Sequence, residues 1–186
     1  DKDSFYLSDC EMNSSTDTWS PSGVEYDSEI ISEGHSSVTN TFEGTTLKAN
    51  SFSLSGVESW NLQNGKSLRF DLYIDDIELF KARTKLMAQL SSDSRGREDY
   101  IQWDLTKTPG YDSLKEGWNS VELSFAEAET VGSPDLSAVR MFTLGSLAAS
   151  FEEGESLKLN LDNIRVYGAA GDNPVSPEDP DEPGDP

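Results

Sequence analysis

Residues 67–74 read SLRFDLYI. Leu68, Phe70, Leu72 and Ile74 alternate with Arg69, Asp71 and Tyr73. This is the two-residue period of a strand with one face in a core and the other outside it. The same alternation returns at Ile101, Trp103 and Leu105, at Val121, Leu123 and Phe125, and at Leu157, Leu159 and Leu161. The intervals between them carry Gly, Ser, Asn and Asp and no sustained helical period. The expectation is an all-β chain folded as a two-sheet antiparallel β-sandwich. One stretch departs from it. DDIELFKARTKLMAQL, residues 75–90, opens on the capping-box pair Asp75 and Glu78 and predicts a short helical turn near 76–82, followed by a strand.

The chain has 186 residues, enough for one well-buried core and not two. Its net charge is −21, a surface that repels phosphate backbones and anionic lipid, so no nucleic-acid or membrane partner is expected. No apolar run approaches the ~18–20 residues of a membrane span. The opening DKDSFYLSDCE has no basic region followed by an apolar block. A single cysteine, Cys10, excludes an intrachain disulfide framework, and a single histidine, His35, excludes a paired-histidine metal site. From Asn173 the text is NPVSPEDPDEPGDP, with proline at every third position from 174 to 186. That spacing matches the three-residue turn of polyproline II. Residues 1–170 are therefore read as the sandwich and 171–186 as a proline-rich acidic linker, able to hold a neighbouring module at ~3.1 Å per residue.

Five blocks follow one another in the order found in jelly-roll carbohydrate-binding modules: LSDCE with Trp19 downstream, SLRFDLYI, GWNSVELSF, DLSAVRMFTL and LKLNLDNIRVYG. Over nearly all of residues 5–168 the chain resembles the family-eleven modules of bacterial plant-polysaccharide degraders, whose fold is a galactose-binding-like jelly roll. The resemblance implies a non-catalytic, monomeric module of a secreted or cell-surface protein. Such a module is extracellular, linked to catalytic or anchoring modules, and binds β-glucan or a related hemicellulose on its concave sheet. It also implies a structural Ca²⁺ where the first and last strands meet, held by Glu11 and Asp162, with Asp9 as a third carboxylate and carbonyls from the EGHSS turn at 33–37.

Sugar recognition needs aromatic faces and planar polar groups. By the same resemblance, Tyr100 and Arg140 stand where the modules present histidines, with Gln102 two residues along on the Tyr100 face. Leu47 and Thr143 stand where platform tyrosines belong. Trp60, Tyr73, Tyr26 and Tyr111 fall outside obvious core alternation, and Trp60 and Tyr73 are taken as further ligand-binding candidates. Trp19, Trp103 and Trp118 are assigned to structure. A neutral glycan suits an acidic protein.

Two other readings compete. Glu25, Asp27 and Glu29 in VEYDSEII lie on one strand face and resemble the E-x-D-x-E strand of laminarinase-like glycosidases, in which the outer glutamates are nucleophile and acid/base. Those enzymes are longer and carry the motif near mid-sequence inside an aromatic cleft. The trio is therefore expected to be three solvated carboxylates, and no enzyme is expected. The second competitor is a structural or adhesive spacer whose sandwich has lost its ligand, in keeping with the missing platform tyrosines.

Overall fold

The computed structural model describes residues 3–12 and 17–169; the linker read at 171–186 lies outside the described residues. In chain order the strands and helix are β1 (Ser4–Ser8), β2 (Thr18–Ser20), β3 (Glu25–Asp27), β4 (Ser37–Glu43), β5 (Ser51–Trp60), β6 (Ser67–Ile74), α1 (Ile77–Arg83), β7 (Thr84–Ser91), β8 (Tyr100–Asp104), β9 (Gly117–Ser124), β10 (Glu129–Val131), β11 (Val139–Ala149) and β12 (Ser156–Tyr167). Two six-stranded sheets form. The first runs β3-β4-β12-β6-β9, with β1 also on β12, and the second runs β10-β8-β7-β11-β5-β2.

The alternation that opens the sequence decides how these sheets meet. Leu68, Phe70, Leu72 and Ile74 are wholly buried on the inner face of β6, while Arg69, Asp71 and Tyr73 stay partly exposed on its outer face. From the second sheet, Phe52, Leu54, Leu90, Phe142 and Leu144 enter the same core. Aromatic pairs cross between the sheets: Phe42 lies 5.9 Å from Phe52 and Phe70 lies 6.1 Å from Phe142, centroid to centroid. Each such side chain contributes about 1.5–3 kcal/mol by leaving water, and this burial holds the two layers face to face. Trp103 is in the core as expected, its indole N–H donating to the Ser124 carbonyl across the sandwich at 2.7 Å.

The helix forms where the sequence predicts it, with its cap displaced by one residue. Asp75 still donates its N–H to the Lys158 carbonyl and so prolongs the sheet ladder. Asp76 is the N-cap, and its carboxylate accepts the Leu79 N–H at 3.0 Å.

Two irregularities interrupt the ladders. The long strand β12 pairs with β4 over Ser156–Leu161 and with β1 over Ile164–Tyr167, on the same edge. Between those stretches its register with β6 shifts at Asp162 and Asn163, and Asn163 takes a positive φ of 55°. On β11, the pairing to β5 jumps from Met141–Ser55 to Val139–Trp60. Residues 56–59 bulge outward there, leaving Val57 72% exposed.

Candidate functional site

The open face of the second sheet is built by strand register. Glu129 pairs with Gln102, Gln102 with Gln89, Gln89 with Thr143, Thr143 with Ser53 and Ser53 with Ser20. Paired residues share a face. A polar row therefore crosses all six strands at about 4.8 Å per strand, roughly 24 Å from end to end. Gln102 donates to the Glu129 carboxylate at 3.1 Å, and the Ser53 and Thr143 hydroxyls stand 3.4 Å apart. The adjacent row runs Val131, Tyr100, Ser91, Met141, Ser55 and Thr18.

Tyr100 is the aromatic side chain on these rows. It is partly exposed, and among the described residues its side chain has no hydrogen-bond or aromatic partner. Arg140 stands at the start of β11, opposite the 56–59 bulge of β5. Val139 and Phe142 both enter the core, so the two residues between them, Arg140 and Met141, both turn outward. Tyr100 and Gln102 thus share one face of β8, and Arg140 is exposed next to Met141. Thr143 sits mid-row, and Leu47 is exposed in the β4–β5 connection.

The remaining candidates separate from this face. Trp60 is a correction: it is 8% exposed and belongs to the core. The alternation of Phe52 and Leu54 breaks at the exposed residues 57–59, and Trp60 returns to the core beyond them, paired with Val139. Tyr73 lies on the outer face of the first sheet, paired with Trp118 at 5.6 Å between ring centroids. Trp118, expected to be structural, is partly exposed there. Tyr111 packs beside Phe80 under Lys81, and Tyr26 packs on the core.

The acidic trio does not form a strand triad. β3 ends at Asp27, and Glu29 lies past it in a bend, donating its N–H to the Asp27 carboxylate at 2.8 Å. Asp27 is not a solvated carboxylate either. It pairs with the Lys158 ammonium at 2.9 Å and accepts from the Asn160 amide at 3.0 Å. Burial acts to raise its carboxyl, but the bonds from Lys158, Asn160 and the Glu29 and Ile30 N–H groups outweigh it and hold it well below the usual carboxylate range.

Of the calcium candidates, Asp162 lies at the β12 irregularity, and Glu11 meets the turn that also binds Asp162. Asp162 is wholly buried there. Its Oδ2 accepts from the Ser32 N–H at 3.3 Å, the Ser32 hydroxyl at 3.1 Å and the Glu33 N–H at 3.2 Å, and its Oδ1 accepts from the Asn163 N–H at 2.9 Å. Burial pushes its carboxyl up to about 8 against those bonds. The Glu11 carboxylate receives the His35 N–H, and the Cys10 carbonyl receives the Ser36 hydroxyl. Asp9 accepts the Glu11 N–H at 3.0 Å.

Cys10 follows β1 rather than lying within a strand; it has a φ of 59°, and its thiol is pushed up by burial and then by Asp162, Asp17 and Asp9. Asp17 is an acid of this region that the sequence reading missed. One turn, 32–36, therefore binds both Glu11 and Asp162, but it presents N–H groups to them where an ion would need carbonyls. Among the described residues no group of three or more His, Cys, Asp or Glu is placed to hold a metal. An ion here requires the turn to direct carbonyl oxygens inward.

The sequence matches no family model and no curated protein. Solved structures do match. The family 11 carbohydrate-binding module of a cellulosomal cellulase of Clostridium thermocellum superimposes with a TM-score of 0.54 at 15% identity, over 89% of this chain and 95% of that one. The family 30 module of another cellulosomal cellulase of Clostridium thermocellum gives 0.52 at 12% identity, over 92% and 93%. An exo-β-agarase gives 0.53 at 14% identity, over 94% of this chain and 25% of that one. At these identities the likeness is one of fold, and by fold the chain is similar to the β-sandwich carbohydrate-binding modules.

Proposed function

We propose that the chain is a non-catalytic module of a secreted or cell-surface multimodular protein, and that it holds an extended plant polysaccharide, β-glucan or hemicellulose, across the open face of the second sheet. The observation that carries this is the polar row crossing all six strands, with Tyr100 on the adjacent row and Arg140 exposed next to Met141 of that row. A glycan lying across the strands meets a hydroxyl, amide or carboxylate at each one, and these groups pair with sugar hydroxyls. Tyr100 offers a ring and a hydroxyl, Arg140 a fork of donors. The neighbouring modules implied are catalytic or anchoring ones, and the sandwich is proposed to act as a monomer. A structural Ca²⁺ at the Asp162 end, with Glu11 and Asp9, is part of the same reading. Its support is that all four partners of the buried Asp162 carboxylate are neutral donors.

Titration calorimetry against barley β-glucan, xyloglucan, glucomannan and starch tests the reading. The expected dissociation constant is about 10–100 µM, since a shallow face must order a flexible chain. Tyr100→Ala and Arg140→Ala should each cost ~1–3 kcal/mol. The competing spacer reading draws on the lack of any ring but Tyr100 on the two rows described, with Thr143 and Ser53 at their centre. Four blank titrations would establish it.

A further inference from the structure

The loop between β7 and β8, SDSRGRED at residues 92–99, folds back over the open face of the second sheet. Gly96 has a φ of +66°, and a Cβ there would stand 3.3 Å from the Met141 sulfur and 3.4 Å from the Gln89 side-chain oxygen. The loop is anchored from within. The Asp93 carboxylate accepts the Ser91 hydroxyl at 2.6 Å and the backbone N–H groups of Arg97 at 3.0 Å and Asp99 at 3.0 Å, with those of Arg95 and Glu98 at 3.3 Å. It is also held from outside, where Ser133 donates its N–H to Asp99 at 2.9 Å and Asp135 donates to the Ser92 hydroxyl at 3.0 Å.

Arg95 and Arg97 flank the glycine that approaches Met141, and Arg140 is the exposed residue before Met141. All three arginines are exposed, and among the described residues none has an ion-pair, hydrogen-bond or ring partner for its side chain. The other arginines of the chain are engaged. Arg69 pairs with Glu122 at 3.0 Å, Arg83 with Glu155 at 2.9 Å, and Arg165 donates to the Asn163 carbonyl at 2.7 Å. The acids Asp93 and Asp99 of the same loop are turned to backbone N–H groups, leaving Glu98 as its exposed acid. A protein of net charge −21 thus brings the chain segments that carry its three unengaged arginines together beside the proposed ligand face.

We infer that Arg95 and Arg97, beside Arg140, read an anionic substituent, a carboxylate or a sulfate, on the bound polysaccharide. This rests on the glycan-binding reading and names the ligand class within it. The planar guanidinium fork matches two oxygens of such a group, and an anchored backbone limits the ordering that binding requires.

Three polymers sharing one backbone test this by calorimetry: barley β-glucan, its carboxymethylated form and its sulfated form. At about 0.15 M salt, screening over ~8 Å suppresses the general repulsion of an acidic protein while contact pairs persist. One charged form should bind roughly tenfold more tightly than the plain polymer, and which one it is distinguishes carboxylate from sulfate. The ratio should fall toward one in about 1 M salt, where screening shortens to ~3 Å. R95Q/R97Q should bring the ratio close to one, and R95K/R97K should retain part of it through charge alone. Plain β-glucan bound as tightly as both derivatives, or a ratio that survives R95Q/R97Q, overturns the inference and leaves the glycan-binding reading standing. No binding of any of the three polymers overturns both.

Discussion

Asp27 shows what one side chain contributes. Its carboxylate ties β3 to β12 through Lys158 and Asn160 and closes the bend after β3 by accepting from Glu29 and Ile30. Its folded pKa lies below the unfolded value of about 4, so the stabilisation is complete above that value and is lost as pH falls from it through the lower folded pKa. Asp27→Asn keeps an acceptor and loses the charge. It should cost about 1–3 kcal/mol at neutral pH, and the gap to the parent should narrow on acidification below about pH 4. Thermal midpoints of the two proteins across that range check it. A gap that is constant with pH would show that the charge contributes nothing. The pairing also explains why an E-x-D-x-E text is not a catalytic strand here: the middle carboxylate is spent on the fold and the last one lies outside the strand.

Among the elements, the 92–99 loop takes most of its internal bonds from one residue. Asp93 collects five donors, and burial, which would raise its carboxyl, is outweighed by them so that it stays well below the usual range. Asp93→Ala should free the loop and leave the strands alone. Hydrogen exchange at residues 95–99 should accelerate while β7 and β11 stay protected, because those strands are held by their own ladders. Asp93→Asn, which keeps an acceptor, should lie between. Exchange that accelerates across the whole second sheet would show that the loop supports the fold rather than resting on it. The helix illustrates the same scale. Its existence is legible in the text, but its cap moved from Asp75 to Asp76 because a sheet bond to Lys158 claims the backbone of Asp75.

For the whole molecule, the end where β1, β4 and β12 meet is where a bound ion would act. An ion that binds the folded state alone stabilises by mass action, about 3 kcal/mol at a few hundred times its dissociation constant. Removing Ca²⁺ with a chelator should then lower the thermal midpoint by roughly 5–10 °C. Asp162→Asn should remove the response to chelator. An unchanged midpoint, with no metal found by elemental analysis, would sink the calcium reading and leave the hydrogen bonds to the 32–36 turn as the whole account of Asp162.

The sandwich itself was readable from SLRFDLYI and its counterparts, because period-two burial is a local property written in the order of the side chains. Tyr100 and Gln102 were readable as face-mates for the same reason, being two residues apart on β8. The polar row was not readable. Ser20, Ser53, Gln89, Gln102, Glu129 and Thr143 come from six strands, and only the register between distant segments aligns them. Trp60 and Tyr73 were misgrouped because sequence spacing shows which side chains leave a core alternation, but not which of two sheets, or which face, receives them. The place of Arg140 opposite the 56–59 bulge needs the pairing of β11 with β5, and the approach of the 95–97 segment to it needs Gly96 beside Met141. Both are contacts between segments far apart in the chain, so tertiary packing alone determines them.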